Sequence, residues 1–340
     1  MNRSRPVAIW LVIGIVMIMI QVVLGGITRL TGSGLSITEW QPLLGTIPPL
    51  NDAEWQAAFE KYQKIGQYKQ INFHFDLQDF KFIYFWEWFH RVWARLIAVA
   101  FAIPFTIFVI QKRFRKDMIL PMIILFVMGG LQGGLGWIMV KSGLNEENVY
   151  VSHIRLAIHF IAALGLLVYA LWFALKLLVS AEKKTTAPAL RHLTLLTIAI
   201  LVIQLIYGAF MAGLKAAVTA TTWPDINGEM LPALSNIFND HITVQFIHRG
   251  LAYVLTAVLL LWWLRARKIE ASKLWSQWRN FPIITVLIQV LLGILTVLNA
   301  ADQKALLWLG AAHQFTAMLV LGSLVMVLYL LSPDNTKKVS

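Results

Sequence analysis

The sequence contains no cysteine. Disulfides, thiolate metal sites and iron–sulfur clusters are thereby excluded. Charge is also scarce: Asp, Glu, Lys and Arg make up 14% of the 340 residues, against about 25% in a soluble domain. Apolar residues fill the space instead, at 58% against the usual figure of about 45–50%. An integral membrane protein follows. The first apolar run begins near Val7 after a short basic start. It is longer than a signal-peptide core and lacks a small-residue cleavage site, so it reads as a retained helix.

Eight stretches reach the roughly 20 apolar residues that a bilayer requires. They lie near 7–28, 82–111, 117–140, 153–179, 191–214, 241–264, 280–299 and 305–331. The connections 111–117 and 299–305 read as tight hairpins. Pro104 and Pro282 fall inside spans and are expected to kink them. Arg3, Arg5, Lys112, Arg113, Arg115, Lys116, Lys183, Lys184, Arg191, Arg265, Arg267, Lys268, Lys273, Arg279, Lys337 and Lys338 fall on one side. The other side carries long loops of mixed charge. Basic residues concentrate on the cytoplasmic side of membrane proteins, so both termini are expected in the cytoplasm. The net charge of +12 then encodes topology, and no nucleic acid is expected as partner.

Within the spans one pattern occurs twice. Glu87-Trp88-Phe89-His90-Arg91 corresponds to Gln245-Phe246-Ile247-His248-Arg249. Two spans after each comes another histidine, His159 and His313. All four lie on spans two, four, six and eight, roughly six to eight residues from the outer start, or about 10 Å deep at 1.5 Å per residue. Two side-by-side pockets near the outer face are expected. His74, His153, His192 and His241 fall in loops or at helix ends and read as interfacial.

The repeat extends further. Ala94 matches Ala252, and Ala157-x-His159 matches Ala311-x-His313. Every odd span carries Gln and, four residues on, Gly: Gln21/Gly25, Gln132/Gly136, Gln204/Gly208 and Gln289/Gly293. That spacing shares one helix face. It reads mainly as close helix packing, with direct ligand contact by Gln as the alternative. The expected fold is all-α: eight transmembrane helices as two pseudo-symmetric four-helix bundles, residues 1–180 and 187–340, joined by the linker Ser180–Pro188.

Paired histidines on separate helices suit the two axial positions of a haem iron. Zinc would want three or four clustered ligands. Copper stays open, although the methionines form no ligand motif. The halves differ at Glu87, which stands where the second half has Gln245. A carboxylate inside a membrane is a functional candidate by default; pairing with Arg91 is the structural alternative. Arg29, Arg91 and Arg249 could hold haem propionates or reach out to the interface.

At these residues the chain resembles the haem A synthases, the Cox15/CtaA-like group. The matching stretches are Gly25-Gly26-Ile27-Thr28-Arg29-Leu30-Thr31-Gly32-Ser33-Gly34-Leu35-Ser36, Glu39-Trp40-x-Pro42, Pro48-Pro49-Leu50, Glu87-x-x-His90-Arg91, Arg155-Leu156-Ala157-x-His159, and Trp223-Pro224 through Gly228. Some bacterial members carry a cysteine pair in the first outer loop; this chain resembles the cysteine-free members. The resemblance implies oxidation of the C8 methyl of haem O to a formyl group by successive hydroxylations. It implies substrate haem O at His90 and His159, haem b at His248 and His313, and Glu87 as the essential carboxylate. It also implies a bacterial cytoplasmic membrane, a haem O synthase and an unidentified electron donor as partners, and leaves room for a homo-oligomer. A di-haem b-type cytochrome linked to quinol, or a haem carrier, accounts for the histidines equally well. The cytochrome does not explain the Glu87/Gln245 difference or the long outer loop 29–81; that loop's Trp40, Trp55, Phe73 and Phe75 could cover a lipophilic macrocycle in a synthase or a carrier alike.

Overall fold

A computed structural model describes residues 5–39 and 44–332. Arg3, Trp40, Pro42, Lys337 and Lys338, singled out above, lie outside the described residues. The helices, numbered in chain order, are α1 (Arg5–Leu30), α2 (Asp52–Tyr62), α3 (Gly66–Gln70), α4 (Leu77–Ile110), α5 (Lys116–Lys141), α6 (His153–Leu178), α7 (Pro188–Gly213), α8 (His241–Ala266), α9 (Lys273–Trp278), α10 (Phe281–Leu298) and α11 (Gln303–Leu330). Among the described residues there is no strand, and eight helices are long and apolar enough to cross a membrane. In a bilayer the backbone must satisfy itself, which continuous helices achieve.

Polar caps fix where the even-numbered spans begin. Asp76 caps α4, Ser152 caps α6, Asp240 caps α8 and Asp302 caps α11, each accepting backbone N–H groups of the first turn. The three aspartates also meet the positive end of the helix dipole. All four caps lie on one face of the molecule, here the capped face. The hairpins rich in Lys and Arg form the opposite, basic face. Pro104 lies inside α4 as expected, but Pro282 sits in the first turn of α10. There its missing N–H breaks no helical bond, so the expected kink does not arise.

Below the capped face the interior divides into an open half and a packed half. Toward the basic face, Leu255, Leu259, Trp262 and Ala266 of α8 pack with Trp275 of α9 and with Val320, Leu324 and Val327 of α11. Trp262 is fully buried, and its indole N–H donates to the Thr194 hydroxyl at 2.8 Å. Helix α11 runs through the centre, against α1, α6, α7, α9 and α10. Helices α7, α8, α10 and α11 pack in a closed ring, each on two neighbours. The first half lacks one side of that ring: α4 packs on α1, α1 on α6 and α6 on α5, but α4 and α5 do not pack along their length.

The segment between α1 and α4 forms a small lid with its own core of Leu35, Phe59, Tyr62, Ile65, Phe80 and Ile83. Trp55 and Phe75 join this core, while Phe73 is 66% exposed. The lid rests on the α5–α6 connection, where the Gly66 N–H donates to the Asn145 carbonyl at 2.8 Å. A Cβ at Gly66 would meet the Glu146 carbonyl oxygen at 2.6 Å, so only glycine permits that approach.

Trp262→Ala removes one of the two largest buried side chains of the packed half. The expected loss is about 3–5 kcal/mol of unfolding free energy, with Trp262→Phe costing less. Reversible unfolding in mixed micelles measures it.

Candidate functional site

A single cavity of about 1190 Å³ occupies the open half and reaches across both halves of the chain. It exceeds the roughly 300–1,000 Å³ of common ligand pockets. His90, His159, His248 and His313 all line it. The other four histidines do not. The two pockets expected side by side are therefore continuous. The histidines also differ in distance from their helix starts: His90 lies thirteen residues beyond Leu77 and His313 ten beyond Gln303, while His159 and His248 lie six and seven residues in. Helices α4 and α11 begin earlier than their apolar stretches, because Asp76 and Asp302 cap polar first turns.

Each histidine ring is seated by the Gln and Gly of a neighbouring odd-span helix. A Cβ at Gly25 would stand 3.1 Å from the His90 ring; at Gly136, 2.9 Å from His159; at Gly208, 3.3 Å from His248; at Gly293, 2.9 Å from His313. The glycine is the notch that the imidazole fills. The glutamine one turn earlier places its amide on the same ring: Gln21 on His90 at 3.3 Å, Gln132 on His159 at 3.2 Å, Gln204 on His248 at 3.5 Å and Gln289 on His313 at 3.1 Å. The close-packing reading of the motif thus holds for the glycines. The glutamines bond across the bundle to the histidines, a partner that the sequence reading left unnamed. His313 Nδ1 also donates to the Gln289 carbonyl at 3.0 Å, which makes Nε2 the acceptor of the Gln289 amide.

The donor set fits a haem. The rings of His248 and His313 are 6.4 Å apart between centres and inclined by 70°. Imidazole nitrogens sit about 2.0–2.1 Å from a metal they ligate, which puts the centres of two rings on opposite sides of one metal roughly 6–6.5 Å apart. Among the described residues no three His, Asp or Glu side chains converge as a bare ion would need. Buried polar atoms also lack partners at the cavity: His90 Nδ1, His248 Nδ1, the Oε1 of all four glutamines, Arg29 Nε and Arg249 Nε.

Three cations stand at the capped end of the cavity. Arg29 donates to the Gly213 carbonyl at 2.7 Å and lies over the Tyr150 ring. Arg249 donates to the Asp225 carbonyl at 2.8 Å, which the turn from Trp223 to Gly228 presents. Lys215, just beyond α7, donates to the Tyr150 hydroxyl at 2.9 Å. Among the described residues none of the three has a carboxylate within ion-pair reach, so acidic groups of a bound macrocycle would find free positive charge. The sequence reading missed Lys215. Its signal was a basic residue at a span end on the acidic side.

Arg91 is engaged differently. It donates to Glu87 Oε1 at 2.6 Å, one helical turn away, and to the carbonyls of Ile37 and Glu39. Glu87 is 2% exposed. Its Oε2 accepts from the Ser36 hydroxyl at 2.7 Å and the Ile37 N–H at 2.9 Å. The turn that delivers these donors follows α1, where Gly32 adopts φ +70°. In the second half Gln245 and Arg249 both donate to the Ala220 carbonyl. The returning segment thus brings donors to an acid in one half and an acceptor to an amide in the other. Arg155 points away from the cavity and donates to the Ile138 carbonyl.

Comparison with known proteins places this geometry in a family. The profile of the cytochrome oxidase assembly proteins (COX15-CtaA) matches residues 8–325. Among curated relatives, "Heme A synthase" of Flavobacterium johnsoniae is 40% identical, over 97% of this chain and 99% of its own length. That of Flavobacterium psychrophilum is 39% identical over the same shares, and that of Nitrosospira multiformis 39% over 93% and 91%. A continuous match of this extent, running through all four histidine spans, means that the chain belongs to the COX15-CtaA family of cytochrome oxidase assembly proteins.

Proposed function

We propose that this protein is a haem A synthase, a membrane oxidoreductase that converts the C8 methyl of haem O to a formyl group by successive hydroxylations. The carrying observation is the paired histidines in one cavity, alike in their seating and unlike at Glu87 and Gln245. Haem b is assigned to His248 and His313 in the half spanning 187–340. Substrate haem O is assigned to His90 and His159 in the half spanning 1–180. When bound, haem supplies the one-electron chemistry that protein side chains lack.

The chain's own residues orient and stabilise. Each Gln–Gly notch holds its imidazole in one orientation, so the ligating nitrogen needs no search. Arg29, Lys215 and Arg249 set the edge of a macrocycle toward the capped face through its acidic groups. Glu87 has both oxygens engaged by Arg91, Ser36 and Ile37. Such a carboxylate serves as a fixed negative charge beside the substrate. It would stabilise positive charge developing there, because its donors are already in place.

The proposed setting is the bacterial cytoplasmic membrane. Both termini lie in the cytoplasm, with the capped face and its cavity outward, as the basic face implies. A haem O synthase fits as the supplier, since so apolar a porphyrin passes poorly through water.

Chromatography of haems from cells that make haem O, with and without this protein, tests the assignment. A new formyl-bearing haem is expected; unchanged haem O beside bound haem b, with an electron donor present, would leave a cytochrome or carrier. His248→Ala should abolish the haem b absorption spectrum of the purified protein, and a full spectrum would reject that ligand. Glu87→Gln sets an amide N–H₂ against the Arg91 guanidinium. Haem A yield should fall at least tenfold with haem b retained, whereas a wild-type yield would remove Glu87 from the reaction.

A further inference from the structure

The cavity is closed on most sides. The lid covers it at the capped face through Gly32, Gly34, Leu35 and Gln67. The packed core of α6, α8 and α11 floors it. Helices α1 and α6 adjoin the second half. The side left is the gap between α4 and α5. These helices meet near the basic face, where Phe101 of α4 and Phe126 of α5 are 6.3 Å apart between ring centres, and Phe114 of the connection lies 5.4 Å from Phe105. Toward the histidines they part. Ala94 and Ala98 of α4 and Gly129, Gly130 and Gly133 of α5 line the cavity and are exposed.

The second half shows what closure looks like. Aligning Gln132 and Gly136 with Gln289 and Gly293 places Gly129 against Val286 and Gly133 against Val290. Val286 is 1% exposed and Val290 half-buried, in the helix that packs on α8. Ala94 is exposed whereas its counterpart Ala252 is half-buried. Two valine side chains are thus replaced by hydrogen at the position where the first half stays open. The slot opens at bilayer depth, between apolar helix faces, onto the His90 and His159 pair.

We propose that the slot between α4 and α5 is the lateral entrance by which the porphyrin substrate passes from the bilayer into the amino-terminal half of the cavity. This rests on the assignment of haem O to His90 and His159. The occupant is a planar apolar macrocycle that partitions into lipid and can enter edge-on without crossing water. The corresponding pair in the second half, α8 and α10, packs together instead, which suits a group that stays.

Gly129→Val with Gly133→Val rebuilds the closure of the second half. Added Cβ atoms meet nothing within 4 Å at either position, so the fold should tolerate them. In vesicles containing haem O and an electron donor, haem A formation should fall at least tenfold with the haem b spectrum unchanged. A wild-type rate in this variant, with Glu87→Gln inactive, overturns the entrance and leaves the site assignment standing. Wild-type rates in both overturn the site assignment and the entrance with it. Gly130→Cys adds the sole thiol of the chain and separates entry from reshaping of the pocket. Alkylation with a bulky maleimide before haem O is added should block its uptake from the vesicles. The same alkylation after loading should trap it against washing. Uptake and release that ignore the label overturn the proposal.

Discussion

The histidine seated in a glycine notch under a glutamine amide is the constraint on which the rest depends. A polar ring in a bilayer needs a partner or a ligand, because water is absent. Here the neighbouring helix supplies the partner, and its glycine lets the two backbones approach closely enough. That fixes how α1 sits on α4, α5 on α6, α7 on α8 and α10 on α11. Each notch therefore determines a helix pair as well as a ring orientation. Four copies give a scaffold in which the imidazole nitrogens are placed by packing rather than by loops, and scaffold elements hold such geometry more tightly.

Upon that common frame the halves diverge through few residues. Glu87 and Gln245 occupy equivalent positions, and each is met by a segment of matching chemistry: Ser36 and Ile37 donate to the acid, Ala220 accepts from the amide. A buried carboxylate without such donors would be costly. The Gly32-Ser33-Gly34-Leu35-Ser36 turn is thus inseparable from Glu87. It also begins the lid, so the charge and the roof over it come from one piece of chain.

Much of this was legible in the sequence. The eight spans were visible as apolar runs, and the four histidines stood out because ionisable groups are rare there. Pseudo-repeats were legible because both halves solve the same seating problem. Other features depend on distances that sequence spacing does not carry. The Gln–Gly spacing gave a shared face but not the object on it. Pro282 was misjudged because short α9 ends just before it and α10 starts afresh. The pairing of Glu87 with Arg91 was weighed as an alternative to function, yet the ion pair sits at the wall of the cavity, so the two readings are compatible. The outer-loop aromatics read as a cover for a macrocycle. Of the described ones, Trp55 and Phe75 build the lid's own core instead and Phe73 is exposed, while glycines with Leu35 face the cavity.

Proteins that turn over one porphyrin while retaining another face opposite demands on similar sites. Retention requires that leaving be slow, and on the proposed reading the packing of α8 on α10, with Val286 buried, would slow it. Turnover requires exchange without unfolding, and a missing contact provides it at no cost in histidine geometry. The notches of His90 and His159 lie on the α1–α4 and α5–α6 pairs. Neither involves the α4–α5 side. A half can therefore open at that side while both of its ligating rings stay seated. In the second half the same two kinds of pair, α7–α8 and α10–α11, hold the rings, and the α8–α10 side is free to close. The histidines leave the α4–α5 side of one half and the α8–α10 side of the other unused, and on the proposed reading it is this side that sets one site apart from the other.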